Sequence, residues 1–254
     1  MKLVVNGAMG RMGKAVILEA QSSGGFELVG AIESPRSELK GTFLDEILGS
    51  AYPHLKVTGG WHESFRRADV VIDFSLPEGT MQILPHLNRF GIPLVSGTTG
   101  LSDEEWRRLT EASKEIAIFH SPNMSVGMYV MSQATRIVAE RLPESWDFEL
   151  IEVHHKMKKD YPSGTALQMS STVSKIRHKK VEDSPEGTRI HSLRIGDVPG
   201  RHLAMFAGRG EVVELCHNVH SRAAFANGSL VAARFIKDKE PGFYSMDDIF
   251  AGLE

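Results

Sequence analysis

Between residues 152 and 166 the chain reads Glu-Val-His-His-Lys-Met-Lys-Lys-Asp-Tyr-Pro-Ser-Gly-Thr-Ala. Two imidazoles and three ammonium groups lie just ahead of a Pro-Ser-Gly-Thr turn. An imidazole titrates near neutrality and can carry a proton, while ammonium groups attract a carboxylate. If a strand runs through His155, side-chain alternation puts Glu152 and His154 on one face and Val153 and His155 on the other. Continued extension would add Lys156 and Lys158 to the His154 face. Ser163 is placed to cap the following helix, which leaves the amides of Gly164 and Thr165 pointing outward at its positive end. Separately, these features read as a helix cap, a solvated basic face and strand-end histidines. Together they suit capture of a dicarboxylate and delivery of a proton.

A second group lies at the start of the chain, where Gly7-Ala8-Met9-Gly10-Arg11-Met12-Gly13 follows an apolar strand and opens a helix. Glycines there permit a tight turn and close approach of backbone amides to a pyrophosphate. The spacing is GxxGxxG rather than GxGxxG, so a purely structural turn competes with a binding loop. Glu33, about 20 residues beyond the last glycine, favours the binding loop, because an acidic side chain there accepts ribose hydroxyls. Glu33 suits NADH, whereas Arg36 and Arg11 could pair with the 2′-phosphate of NADPH, so use of both is expected. Two further loops, Ser96-Gly97-Thr98-Thr99-Gly100 and His120-Ser121-Pro122-Asn123-Met124, follow strands and suit a nicotinamide ring.

The elements that must position these groups alternate through the first half. Strands are expected at Leu3–Val5, Phe26–Ile32, Ala68–Phe74, Ile92–Val95 and Ile116–Phe119. Helices are expected at Lys14–Gln21, Thr80–Phe90 and Asp103–Lys114. This alternation predicts a Rossmann-like, doubly wound parallel sheet. After residue 124 the pattern changes. Helices at Val126–Arg141 and Thr165–Ile176 flank a strand at Asp147–His155, and further strands follow at Ile190–Ile195, His202–Ala207 and Glu211–Asn218. The expectation is an α/β dinucleotide-binding domain over 1–124, to which 222–254 returns through helices near Gly228–Phe235 and Asp247–Leu253. A smaller α+β domain over 125–221 would bind substrate and make oligomer contacts. The polar stretch Arg177–Thr188 reads as an exposed loop.

Composition narrows the partners. A chain of 254 residues with 41% hydrophobic and 24% charged residues is that of a folded globular protein. A net charge of -3 supplies no field for nucleic acid or anionic membrane. Nevertheless Lys156, Lys158, Lys159, Lys175, Arg177, Lys179 and Lys180 face only Glu152 and Asp160 between residues 152 and 180. The single cysteine, Cys216, fits a reducing compartment and reads as a buried structural thiol. No signal peptide or apolar run of membrane-spanning length is present, so a cytoplasmic protein is expected. No metal site is expected, because His154 and His155 diverge and no carboxylate or cysteine lies at customary ligand spacing.

The chain closely resembles one family, 4-hydroxy-tetrahydrodipicolinate (dihydrodipicolinate) reductase of diaminopimelate and lysine biosynthesis. The resemblance rests on Val5-Asn-Gly-Ala-Met-Gly-Arg-Met-Gly13, Asp73-Phe-Ser, Ser96-Gly-Thr-Thr-Gly100 and Asn123-Met-Ser-Val-Gly127. It rests further on His154-His155 with Lys158 and Asp160-Tyr-Pro-Ser-Gly-Thr165, and on Ser221-Arg-Ala-Ala-Phe-Ala-Asn-Gly228. The resemblance implies NADH or NADPH as cofactor and a small heterocyclic dicarboxylate as substrate. His154 would be the proton donor and Lys158 a partner acid. His155, Ser163, Gly164, Thr165 and Arg222 would bind substrate. Gly7 to Met12, Glu33, Arg36, Gly97 to Thr99 and Ser121 to Met124 would bind cofactor. A homotetramer is implied. Some members carry arginine directly after the acidic residue; Ser34 stands here, so an NADPH preference would depend on Arg36. Other readings are a semialdehyde or homoserine-type dehydrogenase and a noncatalytic nucleotide sensor. The first needs an activated cysteine; the last two leave His154 and Lys158 unexplained.

Overall fold

In a computed structural model, the structure describes residues 1–49, 52–177 and 189–251. In chain order the elements are β1 (Lys2–Asn6), α1 (Arg11–Ser23), β2 (Glu27–Glu33), α2 (Leu44–Leu48), β3 (Val57–Gly59), β4 (Val70–Asp73), α3 (Pro77–Phe90), β5 (Leu94–Ser96), α4 (Asp103–Ala112) and β6 (Ala117–His120). They continue with α5 (Val126–Arg141), β7 (Asp147–His154), α6 (Gly164–Arg177), β8 (Arg189–Arg194), β9 (Gly200–Gly208), β10 (Glu211–Val219), α7 (Ala223–Ile236), β11 (Gly242–Tyr244) and α8 (Met246–Phe250). The chain forms two compact units, one of residues 1–124 with 225–254 and one of residues 125–224.

The first unit is built on a parallel sheet of seven strands in the order β11-β6-β5-β4-β1-β2-β3. Its strands read as continuous apolar runs because helices cover both faces. Val4, Val71, Leu94 and Ile118 pack with Ile83, Leu84 and Leu87 of α3 and Leu109 of α4. The order reverses at β1, which pairs β2 on one side and β4 on the other, and in such sheets that reversal opens a crevice at the carboxyl ends of the strands. Two strands escape the sequence pattern. Val57–Gly59 and Gly242–Tyr244 have three residues each, too few for a periodic signal, and both edge strands form by pairing with β2 and β6.

In the second unit, four strands form a mixed sheet in the order β10-β9-β7-β8, with β7 and β8 parallel and the other pairs antiparallel. Met128 and Met131 of α5 and Ala166 and Met169 of α6 pack on Leu150 and Ala204, so the helices cover that face of the sheet. Leu150, Glu152 and His154 are buried in alternation along β7 and share the covered face. The opposite face, which carries Val153, Leu203 and Cys216, is more open. Cys216 is accordingly exposed, contrary to the buried thiol expected, because its position in β10 is one register step from the covered row. Arg177 also departs from expectation. It closes α6 as a buried residue, with Nη1 donating to the Trp146 carbonyl at 2.8 Å and the guanidinium over Phe206. The rest of the expected 178–188 loop, and the end of the expected terminal helix at 252–253, lie outside the described residues. Among the described residues no helix is long and apolar enough to cross a membrane.

Candidate active site

In the first unit the glycine-rich turn follows β1. Gly7 adopts φ +70°, and a Cβ there would lie 2.7 Å from the Phe74 carbonyl oxygen. A Cβ on Gly13 would lie 2.1 Å from the Gly7 carbonyl oxygen, so only glycine lets α1 start this close to the turn. Ala8 is buried, its amide donating to the Ile32 carbonyl at 2.9 Å. Gly10 caps α1, and Arg11 and Met12 form its first turn. Glu33 closes β2, where Oε1 accepts the Met9 amide at 2.6 Å and Oε2 the Ser34 amide at 3.2 Å. Gly7, Met9, Gly10 and Glu33 line one cavity of about 530 Å³ together with Asn6, Phe74 and Ser75. Arg11 and Arg36 are exposed and do not line it.

This cavity fits a dinucleotide. Its backbone is stripped of side chains where a pyrophosphate would approach a helix start, and a carboxylate with unused lone pairs stands where ribose hydroxyls would be read. The two further loops also stand at strand ends. The Gly97 amide donates to the Asp73 carbonyl at 2.9 Å, Thr98 is buried and Thr99 exposed. Ser121 donates to the Asn123 carbonyl at 2.8 Å, which folds the Ser121–Met124 turn; Pro122 is exposed and Met124 buried.

In the second unit the chemistry gathers around β7. The Glu152 carboxylate is fully buried and accepts Nδ1 of His154 on Oε2. Its Oε1 accepts Arg194 Nη2 at 2.8 Å and the Ser163 amide at 3.3 Å. Burial alone would raise the Glu152 pKa, but hydrogen bonds from His154 and Arg194 outweigh it and hold the group at about 2. With Nδ1 committed to the carboxylate, Nε2 is the ring atom of His154 left for a ligand. A Cβ at Gly200 would lie 3.4 Å from Nε2, at van der Waals contact, so glycine leaves that side of the buried ring uncovered.

Lys158 is positioned differently from the expectation. The strand stops at His154, and the Lys158 amide donates to the His155 carbonyl at 3.1 Å, so a turn replaces continued extension. Lys156 is exposed, its amide bonded to the Gly196 carbonyl, and does not join the His154 face by strand alternation. The Lys158 ammonium pairs with Asp160 at 2.8 Å. Burial would raise the Asp160 pKa, but hydrogen bonding and charge from Lys158, with backbone amides that include Gly164, lower it. Ser163 is buried and caps α6, its Oγ accepting the Ala166 amide at 3.3 Å, with exposed Gly164 and half-buried Thr165 next in line. His155 and Arg222 are half-buried, Arg222 in the turn before α7.

Sequence reading missed Arg194 and His202, which strand register brings in. Arg194 is opposite His154 on β8, and His202 is opposite Glu152 on β9. The His202 ring sits edge-on to His154, with centroids 5.2 Å apart, and burial first, then the His154 charge, lowers its pKa to about 4. Glu152, His154 and His202 bring three potential metal-ligand atoms within 4.8 Å, which corrects the argument from sequence spacing alone. Both Glu152 oxygens are nevertheless filled by donors, one of them a guanidinium. That arrangement suits the orientation of an imidazole better than the holding of a cation.

Two family models divide the chain, dihydrodipicolinate reductase N-terminus over residues 1–124 and dihydrodipicolinate reductase C-terminus over residues 127–250. The chain belongs to the dihydrodipicolinate reductase family. Relatives named 4-hydroxy-tetrahydrodipicolinate reductase include one from Caldanaerobacter subterraneus subsp. tengcongensis, 38% identical over 98% of this chain and 97% of its own length. Another, from Rubrobacter xylanophilus, is 37% identical over 98% of both. Among solved structures, dipicolinate-bound dihydrodipicolinate reductase from Paenisporosarcina sp. TG-14 superposes with a TM-score of 0.77 at 22% identity and covers 98% of both chains. An amine dehydrogenase from Mycobacterium smegmatis shares the fold with a TM-score of 0.62 at 13% identity, over 96% of this chain and 94% of its own. Membership in the reductase family makes the chain an NAD(P)H-dependent oxidoreductase and disfavours the noncatalytic sensor.

Proposed function

We propose that the protein reduces 4-hydroxy-tetrahydrodipicolinate to tetrahydrodipicolinate, with NADH or NADPH, in diaminopimelate and lysine biosynthesis. The observation that carries the site assignment is the buried Glu152–His154 pair, followed by Lys158 in the next turn. NAD(P)H, when bound, would supply the hydride that reduces the heterocycle after loss of water. His154, steered by Glu152, delivers a proton from Nε2 to the carbon beside the one reduced, and Lys158 is the partner acid. His155, Ser163, Gly164, Thr165 and Arg222 hold the substrate carboxylates, with Ser163 acting through its cap. The turn from Gly7 to Met12 would hold the pyrophosphate and Glu33 the ribose, while Gly97 to Thr99 and Ser121 to Met124 would hold the nicotinamide end. Because neither Arg11 nor Arg36 lines the cavity that Glu33 lines, NADH is the favoured cofactor. The protein's contribution is placement and a cationic cradle.

The site is assigned to a cytoplasmic homotetramer. Supporting this, the open face of the second unit's sheet exposes Leu193 and Val212, and Cys216 lies on the same face. His154→Gln tests the proton donor. It should lower kcat by about a hundredfold or more, within the usual range for a general acid, while NADH affinity stays within about twofold. Equal loss of turnover and cofactor affinity would contradict the role.

A further inference from the structure

We propose that Asp73 provides a fixed negative charge that favours the positively charged, oxidised nicotinamide ring and thereby eases hydride departure. Asp73 ends β4 and is fully buried, in register with Asn6 of β1 and Ser96 of β5. Its Oδ1 accepts Asn6 Nδ2 at 2.8 Å, the Ser75 amide at 3.0 Å and Ser75 Oγ at 2.6 Å. Its Oδ2 accepts Thr80 Oγ1 at 2.5 Å, Thr98 Oγ1 at 2.9 Å and Ser96 Oγ at 3.3 Å. Buried carboxylates are ordinarily paired with a cation. Here all six donors are neutral, and no lysine or arginine pairs with Asp73 among the described residues. His120, whose ring bonds the Thr98 carbonyl at 3.0 Å, is driven by burial towards its neutral form, against the Thr98 hydrogen bond and the Asp73 charge.

The hydrogen bonds tie together three neighbouring strand ends, and they leave the charge unneutralised. Asn6 and Ser75 line the dinucleotide cavity, and Thr98 belongs to the loop assigned to the nicotinamide end. Loss of a hydride turns a neutral dihydropyridine ring into a pyridinium cation. A carboxylate fixed in a low-dielectric strand end stabilises that cation in the product and, partly formed, in the transition state. Asp73 touches neither ligand in this account. It acts through the field it imposes on the cofactor loops.

This inference rests on the dinucleotide reading of the first unit, and calorimetry separates the two. Binding of NAD+, NADH and a dinucleotide with uncharged benzamide in place of nicotinamide is compared in the unaltered protein, Asp73→Asn and Thr80→Val. The unaltered protein should bind NAD+ on the order of tenfold more tightly than the neutral-ring analogue, the scale of one unit charge acting through moderate dielectric. Asp73→Asn should abolish that preference and leave NADH within about threefold, while Thr80→Val, which removes a donor but keeps the charge, should retain it. Equal losses for all three ligands in Asp73→Asn would reduce Asp73 to a loop tie. Equal affinity for NAD+ and the analogue in the unaltered protein would overturn the inference even if the variant failed to fold. If no dinucleotide bound, the cofactor reading would fall with it.

Discussion

Glu152→Gln separates the charge of the buried carboxylate from its shape. The native carboxyl is depressed from 4.5 to about 2, a difference equivalent to roughly 3 kcal/mol of folding stability at neutral pH. Because the folded-state value lies below the unfolded one, that contribution is complete above about pH 4.5 and is lost as pH falls towards 2. Glutamine cannot ionise, and it leaves Arg194 beside a neutral amide. Urea unfolding should therefore place the variant about 3 kcal/mol below the native protein near pH 6, and the gap should shrink to about half near pH 3. Subtraction of the two curves removes the titrating groups that do not touch Glu152. The same change releases Nδ1 of His154 from its anionic acceptor, so kcat should fall at least about tenfold with little change in NADH affinity, as when an orienting partner is lost. A stability gap independent of pH, or kcat within twofold of native, would refute the reasoning.

Two further substitutions probe the first unit. Gly13→Ala forces a Cβ to within 2.1 Å of the Gly7 carbonyl oxygen, so α1 must shift by about 1 Å; NADH affinity should fall at least about tenfold, and thermal unfolding should show a loss of about 1–3 kcal/mol. Unchanged NADH titration would mean that the turn does not hold the cofactor. Glu33→Gln removes the anionic acceptor for ribose hydroxyls, and the ratio of kcat/KM for NADH over NADPH should fall by about fivefold or more, measured by parallel absorbance assays. An unaltered ratio would detach Glu33 from the ribose.

The parts legible in sequence are those whose partners lie close along the chain. The GxxGxxG turn and Glu33 belong to one strand-helix-strand unit, and Glu152 and His154 are two apart on one strand, so alternation alone puts them on the same face. Ser163 caps its helix through local geometry. What sequence could not supply depends on strand register between distant segments. Arg194 and His202 meet Glu152 only because β8 and β9 flank β7, and the six donors to Asp73 come from three strand ends and a helix. Lys158 follows a turn where strand extension was expected, and its ammonium pairs with Asp160. Arg177 shows the limit of composition. In a run of lysines and arginines it read as solvated, yet its guanidinium packs on Phe206 and bonds the Trp146 carbonyl.

The central claim is tested most directly by following NADH and NADPH absorbance in parallel while the preceding synthase generates substrate in the cuvette from pyruvate and aspartate semialdehyde. The account predicts rapid oxidation that depends strictly on that substrate and is faster with NADH. Nucleotide binding without substrate-dependent oxidation of either cofactor would contradict it.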